Sequence, residues 1–297
     1  MSDYMFILEN HLSVEQRAVL ELVQQAAAAA NISLFLTGGA LRDMLGGFPI
    51  RDLDFTVEGP AVKFARDLAK QHKAEVVAVD ELRKSAELRF PSGARCAITM
   101  AHTEKFSKPG AKPQVAPAPI HDDLKCRDFT INAIALSLNR ASRGLLIDPT
   151  NGAGDIEHRE IRAVSPYSLY DDPVRLLRLV RFKTRFGFAV EEKTWQQFLN
   201  AREAGVQKLI APRALYQELY EITQEPNPGD VFAALDAEGL LTLFSPGLQG
   251  AKVNLPAFQK LAKLKAMIPF GAPFPVDWYA IVMYLSLIHI SEPTRLL

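Results

Sequence analysis

Asp52 and Asp54 stand two residues apart in the run Arg51-Asp52-Leu53-Asp54-Phe55. An extended strand has a side-chain period of two, so this spacing puts both carboxylates on one face. Paired carboxylates can hold two Mg²⁺ ions about 4 Å apart, one activating an attacking oxygen and the other stabilising the leaving oxygens. That is phosphoryl-transfer chemistry. Upstream, Gly38-Gly39 precedes Ala40-Leu41-Arg42. Glycines let a backbone approach a phosphate closely, and the first N–H groups of a helix, with Arg42, supply positive potential for a triphosphate. Taken singly, each piece also has an ordinary reading: acids at i, i+2 line many solvated strand faces, and Gly-Gly turns are common.

The elements that must position these residues follow from the local pattern. Ser13 and Gln16 form a capping-box pair, the alanine run to Ala30 carries high helix propensity, and Asn31 stops the helix. Leu34 to Leu36 is a short apolar run ending at the glycines, and a helix from Ala40 to Leu45 is broken by Gly46-Gly47 and Pro49. A strand is expected over Asp52–Val57, a helix over Ala61–Gln71, and further strands over Ala74–Val79, Glu87–Phe90 and Ala94–Met100. Four prolines and a glycine between Ser107 and Ile120 predict a mobile loop. Order returns over Arg127–Leu138 and in a short strand at Leu145–Ile147. From Asp172 the pattern is helical almost throughout, with helices expected over 195–201, 213–221, 231–241 and 256–266.

The chain has 297 residues, with 34 Lys and Arg balancing 34 Asp and Glu, and 48% of its residues are apolar. Neutral balance excludes a uniformly basic nucleic-acid binder, and the spread of apolar residues excludes a disordered chain. The start of the chain lacks the pattern of a signal peptide, and no stretch offers about 18 uninterrupted apolar residues. A cytoplasmic protein with no membrane contact is expected. Cys96 and Cys126 have no CxxC spacing, and the six His are scattered singly, which argues against a disulfide framework or a zinc site.

The order Gly38-Gly39-Ala40-Leu41-Arg42-Asp43, then Arg51-Asp52-Leu53-Asp54-Phe55, resembles the first motif of the class II tRNA nucleotidyltransferase and bacterial poly(A) polymerase family. Arg127-Asp128-Phe129-Thr130-Ile131-Asn132-Ala133 resembles its second motif. Asp148-Pro149 with Gly152, Asp155 and Ile161-Arg162 resembles its third, and Asp172-Pro173-Val174-Arg175-Leu176-Leu177-Arg178 a fourth.

The resemblance implies an α+β fold: a nucleotidyltransferase head with a mixed β-sheet, followed by an all-α neck and body. The implied divisions are an N-terminal helix over 1–30, a head over 31–143, a neck over 144–206 and a helical body over 207–284, with the junction between Gly144 and Ser165. It implies Mg²⁺ at Asp52 and Asp54, triphosphate binding at Gly38, Gly39 and Arg42, and ribose contact by Arg127 and Asp128 braced by Asn132. For Arg127 and Asp128 a plain cap ion pair is the alternative. Base selection between CTP and ATP would fall to Asp172 and Arg175, neighbours on a helix, with Asp172 also placed to cap it. Arg178, Arg181 and Arg185 extend a basic stripe expected to meet triphosphate or RNA backbone. The implied reaction is template-independent addition of CMP or AMP to a tRNA 3′ end. Addition of CCA, of CC, of A alone or of poly(A) all remain open, and no protein partner is implied.

Three positions depart from the family pattern. Ala97 stands where relatives carry a third acid, His102 where they carry Arg, and Cys126 where the second motif has its first Arg. Glu104 or Asp122 is available to replace the missing acid, and a binding relative without catalysis is the rival reading. A small-molecule nucleotidyltransferase would leave the second and fourth motifs unexplained. Residues 285–297 read as translated sequencing-adapter sequence and carry no expected role.

Overall fold

The computed structural model describes residues 4–245, together with Pro256, Lys260 and Lys263. Apart from those three, the helix expected over 256–266 lies outside the described residues, as does the tail at 285–297. The chain divides into two compact units. One holds residues up to Ser107 and Lys112–Pro166, and the other holds Lys108–Ala111 and the chain from Tyr167.

The first unit opens with α1 (Tyr4–His11) and α2 (Val14–Ala29), then β1 (Ser33–Thr37), α3 (Gly39–Leu45), β2 (Leu53–Glu58) and α4 (Ala61–His72). The strands β3 (Glu75–Asp80), β4 (Ser85–Arg89), β5 (Arg95–Met100), β6 (His102–Lys105) and β7 (Gln114–Pro117) follow. The unit ends with α5 (Ile120–Leu124), a 3-10 turn at Thr130–Asn132, β8 (Ala135–Ser137), β9 (Leu146–Ile147), α6 (Gly152–Glu157) and β10 (Glu160–Ile161). Ser13 and Gln16 form the expected capping box at the start of α2.

Seven strands make one mixed sheet in the order β3-β4-β5-β2-β1-β8-β9. The pairing of β2 with β5 is parallel and the other pairings are antiparallel. Alternation divides β2 cleanly: Leu53, Phe55 and Val57 are buried, while Asp54 and Thr56 point to the other face. Leu34 and Leu36 of β1 and Ile98 of β5 join the buried side by register. Helix α4 buries Ala61, Phe64, Ala65, Leu68 and Ala69, a single stripe at helical spacing, and packs on β2 to β5. Each fully buried Leu, Val or Phe contributes ~2 kcal/mol, so this layer fixes the register that places Asp54.

The proline-rich segment corrects one expectation. It is not wholly a loop, because Gln114–Pro117 pairs with β6 as a two-stranded ribbon. A two-stranded ribbon leaves each strand one unpaired edge, which tolerates the missing N–H of Pro117.

The second unit contains α7 (Ser168–Asp171), α8 (Val174–Phe186), a two-residue β11 (Ala189–Val190), α9 (Glu192–Glu203), α10 (Pro212–Thr223) and α11 (Pro228–Ala237). Helices α10 and α11 both pack on α8, burying Leu177, Val180, Phe232 and Leu235. Among the described residues no helix is long and apolar enough to cross a membrane.

Gly152 explains part of the third motif. A Cβ there would collide with the Thr130 carbonyl oxygen and press on Ile134, so α6 reaches the 3-10 turn only through a glycine. Asp148 caps the same helix, accepting from the N–H groups of Gly152 and Ala153 at 2.8 and 2.9 Å. Gly152→Ala should lower stability by ~3 kcal/mol, read by urea unfolding. Gly154→Ala meets only the Asn151 side chain, which can rotate aside, and should lose far less.

Candidate active site

The turn between β1 and α3 is built on Gly38, whose φ of +65° and ψ of −124° suit glycine alone. Because the turn has no side chain, the space above it is lined by groups from elsewhere. A Cβ on Gly38 would lie 3.8 Å from Asp54 Oδ2, 3.9 Å from Arg127 Nη1 and 4.0 Å from the Asn132 carbonyl oxygen. The same carboxylate oxygen is 3.7 Å from the corresponding point on Gly39. A carboxylate and a guanidinium thus converge on one point beside the buried backbone of Gly38. Asp54 lies within β2, and Asp52 is exposed, one residue before the strand begins.

Arg127 is held from two sides. Asp123 Oδ2 accepts from its Nε at 3.0 Å and its Nη2 at 2.7 Å, and Nη2 also donates to Thr56 Oγ1 at 3.2 Å. Burial opposes the charge on Arg127, but Asp123 first, then Asp54 and Asp128, raise its affinity for the proton. Asp128 Oδ1 accepts from the Phe129 N–H at 2.7 Å and from Asn132 Nδ2 at 2.9 Å. These bonds hold the turn that follows Arg127.

Arg42, expected at the triphosphate, is tied into the head by two side chains and stays beside the glycine turn. Its guanidinium is buried, with Nε and Nη2 each 2.9 Å from Asp43 Oδ1 and Nη1 donating to Asn132 Oδ1 at 2.6 Å. Asp43 pairs with it and Asn132 links it to the following turn, while its Nη2 also lies 3.5 Å from the point on Gly39 that Asp54 Oδ2 approaches at 3.7 Å.

The basic stripe on α8 is also corrected. Arg181 is 3% exposed, with Nε 2.6 Å from Glu218 Oε1 and Nη1 2.9 Å from Glu225 Oε1. Burial opposes its charge, but Glu218 and then Glu225 overcome that and raise its pKa. Arg185 is nearly as buried and lies 3.5 Å from Glu225. Both side chains are buried against carboxylates. Arg178 is half-buried, its guanidinium 5.4 Å from the centre of the Phe182 ring.

Asp172 and Arg175 do meet within the second unit. Arg175 Nε is 3.8 Å from Asp172 Oδ2, and its Nη1 donates to Ser168 Oγ at 2.8 Å. Asp172 does not cap α8 by its side chain, because the helix begins one residue later, after Pro173. Burial, and the negative charge of Asp172, raise the neighbouring Asp171 carboxyl against the pull of Arg175.

The three departures have definite places. Ala97 is the direct partner of Asp54 across the parallel β2–β5 pairing, and Glu87 is the partner of Ala97 across β4–β5. Neither proposed replacement stands there: Glu104 binds Arg83 at 2.7 Å, and Asp122 lies 3.4 Å from Lys125. Cys126 is half-buried beside Arg127. Burial, with Asp54 nearby, pushes the Cys96 thiol up to about 12.

Sequence reasoning missed Asp123, Thr56, Asp43, Glu218 and Glu225. The i, i+4 spacing of Asp123 and Arg127 was a readable signal, and Asp43 adjoins Arg42 in the chain, but Thr56, Glu218 and Glu225 act across 71, 37 and 44 residues. Oxygen donors suit a hard divalent cation, and Mg²⁺ commonly binds through one or two carboxylates completed by substrate phosphate and water. Asp52 and Asp54 fit that requirement. Among the described residues no group of three His, Cys, Asp or Glu is gathered as a metal cage.

The sheet, the glycine turn and the acid pair define a nucleotidyltransferase-type head. Residues 34–162 match the poly A polymerase head domain. The chain is 36% identical over 238 residues to an A-adding tRNA nucleotidyltransferase of Halalkalibacterium halodurans, covering 79% of this chain and 56% of that one. It is 34% identical over 221 residues to a CC-adding tRNA nucleotidyltransferase of Deinococcus radiodurans, covering 74% and 58%. A crystal structure of a tRNA nucleotidyltransferase complexed with a primer tRNA and an incoming ATP analog matches with a TM-score of 0.64 and 30% identity, over 90% of this chain and 74% of that one. The chain belongs to the family of tRNA nucleotidyltransferases and poly(A) polymerases. It spans little more than half the length of these two curated relatives.

Removing Arg181 should test the buried cluster in the second unit. Arg181→Met strips the buried Glu218 of its cation and leaves Glu225 with Arg185 alone, and should cost ~4 kcal/mol, read by chemical denaturation. A loss near zero would return Arg181 to the list of ligand-facing residues.

Proposed function

We propose that this chain catalyses template-independent transfer of CMP or AMP from CTP or ATP to an RNA 3′ end, with a tRNA 3′ end as substrate. The observation that carries this reading is the convergence of Asp54 and Arg127 on the glycine turn at Gly38. The 3′-hydroxyl oxygen would attack the α-phosphorus and release pyrophosphate. Asp52 and Asp54 would hold Mg²⁺, which when bound supplies Lewis-acid activation of the hydroxyl and neutralises phosphate charge. Arg127 would meet the ribose or phosphates, Asp128 and Asn132 would keep it placed, and Gly38 and Gly39 would let the nucleotide approach the backbone. In the second unit, Asp172 and Arg175 would read the base edge, a planar donor and acceptor pair, and Arg178 remains as a contact for RNA. The divisions at 30, 143, 206 and 284 are carried forward as proposed boundaries of arm, head, neck and body.

A-adding and CC-adding relatives match at similar identity, so the nucleotide added is assigned by assay. A second reading, an RNA-binding relative with weakened catalysis, is favoured by Ala97, which occupies the register position beside Asp54.

Purified protein, Mg²⁺ and a single NTP should extend one of three tRNA transcripts, ending before CCA, after C or after CC. Processive ATP incorporation into any RNA would assign poly(A) addition instead, and binding without extension would assign the weakened relative. Asp54→Ala should lose several kcal/mol of transition-state stabilisation, on the order of a thousandfold in rate, with an unchanged unfolding curve. Undiminished extension by that variant would remove Asp54 from the metal site.

A further inference from the structure

His102 lies at the start of β6, its side chain 11% exposed, between two carboxylates. Its Nδ1–H donates to the Met100 carbonyl at 2.7 Å, which fixes the tautomer and leaves Nε2 as the nitrogen that titrates. Nε2 faces Glu104 Oε1 at 3.5 Å. Nδ1 lies 3.6 Å from Asp123 Oδ1, and that oxygen also accepts the backbone N–H of His102 at 3.0 Å. The other oxygen of Asp123 holds Arg127. Charges therefore alternate along one chain of contacts: Arg83, Glu104, His102, Asp123, Arg127.

Each neighbouring element is accounted for. Strand β5 contributes the Met100 carbonyl, β6 contributes Glu104 with Arg83 behind it, and α5 contributes Asp123 with Arg127 behind it. Across the ribbon, β7 places Pro117 opposite His102 and brings no charge. Glu58 is engaged at the N–H of Ile120, where α5 begins, at 2.9 Å. Asp122 is occupied with Lys125 on the outer side.

We propose that His102, as the imidazolium, is a positioning residue: it fixes Asp123, and through Asp123 it holds the Arg127 guanidinium over Gly38. This rests on the nucleotidyltransferase reading for its consequence, but not for its geometry. A neutral ring would turn the Nε2 lone pair on Glu104, and Asp123 would lose the positive charge behind it. Burial opposes protonation, but the bond to Glu104, the Met100 carbonyl and the charge of Asp123 together raise the pKa of His102 above its ordinary 6.5. Burial acts against Glu104 ionisation too, and His102 and Arg83 overcome it, holding that carboxyl down to about 2. The sign follows: the His102 contribution to stability is complete below its ordinary pKa and is lost as pH rises through the folded value. The Glu104 contribution is complete above its ordinary 4.5 and is lost as pH falls toward about 2.

The test combines kinetics with NMR. In the wild type, KM for the NTP should rise about tenfold between about pH 6 and about pH 8.5, with a smaller change in kcat. His102→Gln should show the high KM at both pH values, and His102→Arg should restore the low one and flatten the profile. The Arg127 Nε resonance should move with the His102 titration in the protein without nucleotide. A pH dependence of KM that survives in His102→Arg would overturn the proposal, as would an Arg127 resonance that stays fixed while His102 titrates. Failure to bind any nucleotide would count against the nucleotidyltransferase reading alone, since the Arg127 resonance judges the coupling without it.

Discussion

The ion pair between Asp123 and Arg127 solves a problem that the acid pair creates. Asp123, Asp54 and Asp128 all act on Arg127, and like charges gathered around one point disfavour one another. Arg127 places one guanidinium nitrogen toward the turn at Gly38, near Asp54, and turns two others toward Asp123 and Thr56. A single cation thus ties the acid-bearing strand β2 to α5, and α5 to the ribbon of β6 and β7.

Arginine has a different duty in the helical unit. Arg181 is enclosed by Glu218 and Glu225, with Arg185 against the second of these acids. Buried pairs of this kind add little net stability compared with apolar packing, yet removing one partner is costly because the other charge is left behind. Their effect is to specify how α8 and α10 pack. In the head, Arg42 pairs with Asp43 and gives its remaining nitrogen to Asn132. Arg181 and Arg185, which look like phosphate ligands in the linear pattern, are therefore taken up by buried carboxylates.

The departures from the family motif separate into two kinds. Ala97 removes a side chain at a register position next to Asp54 and nothing at Glu104 or Asp122 moves in to replace it. His102 instead puts a titratable ring between Glu104 and Asp123. The first is a subtraction, and the second makes an electrostatic contact conditional on pH.

Local patterns carried what depends on neighbours in the chain. The capping box at Ser13, the stripe on α4, the alternation of β2 and the glycine turn at Gly38 were legible because helix and strand periods and the positive φ of glycine act over a few residues. The order of the motifs was enough for the mixed sheet and the helical remainder. Tertiary structure alone decided which charges are available. Glu218 and Glu225 lie 37 and 44 residues from Arg181, and Asn132 lies 90 from Arg42. No periodicity spans such distances, and a guanidinium's charge is usable only where no folded neighbour already neutralises it.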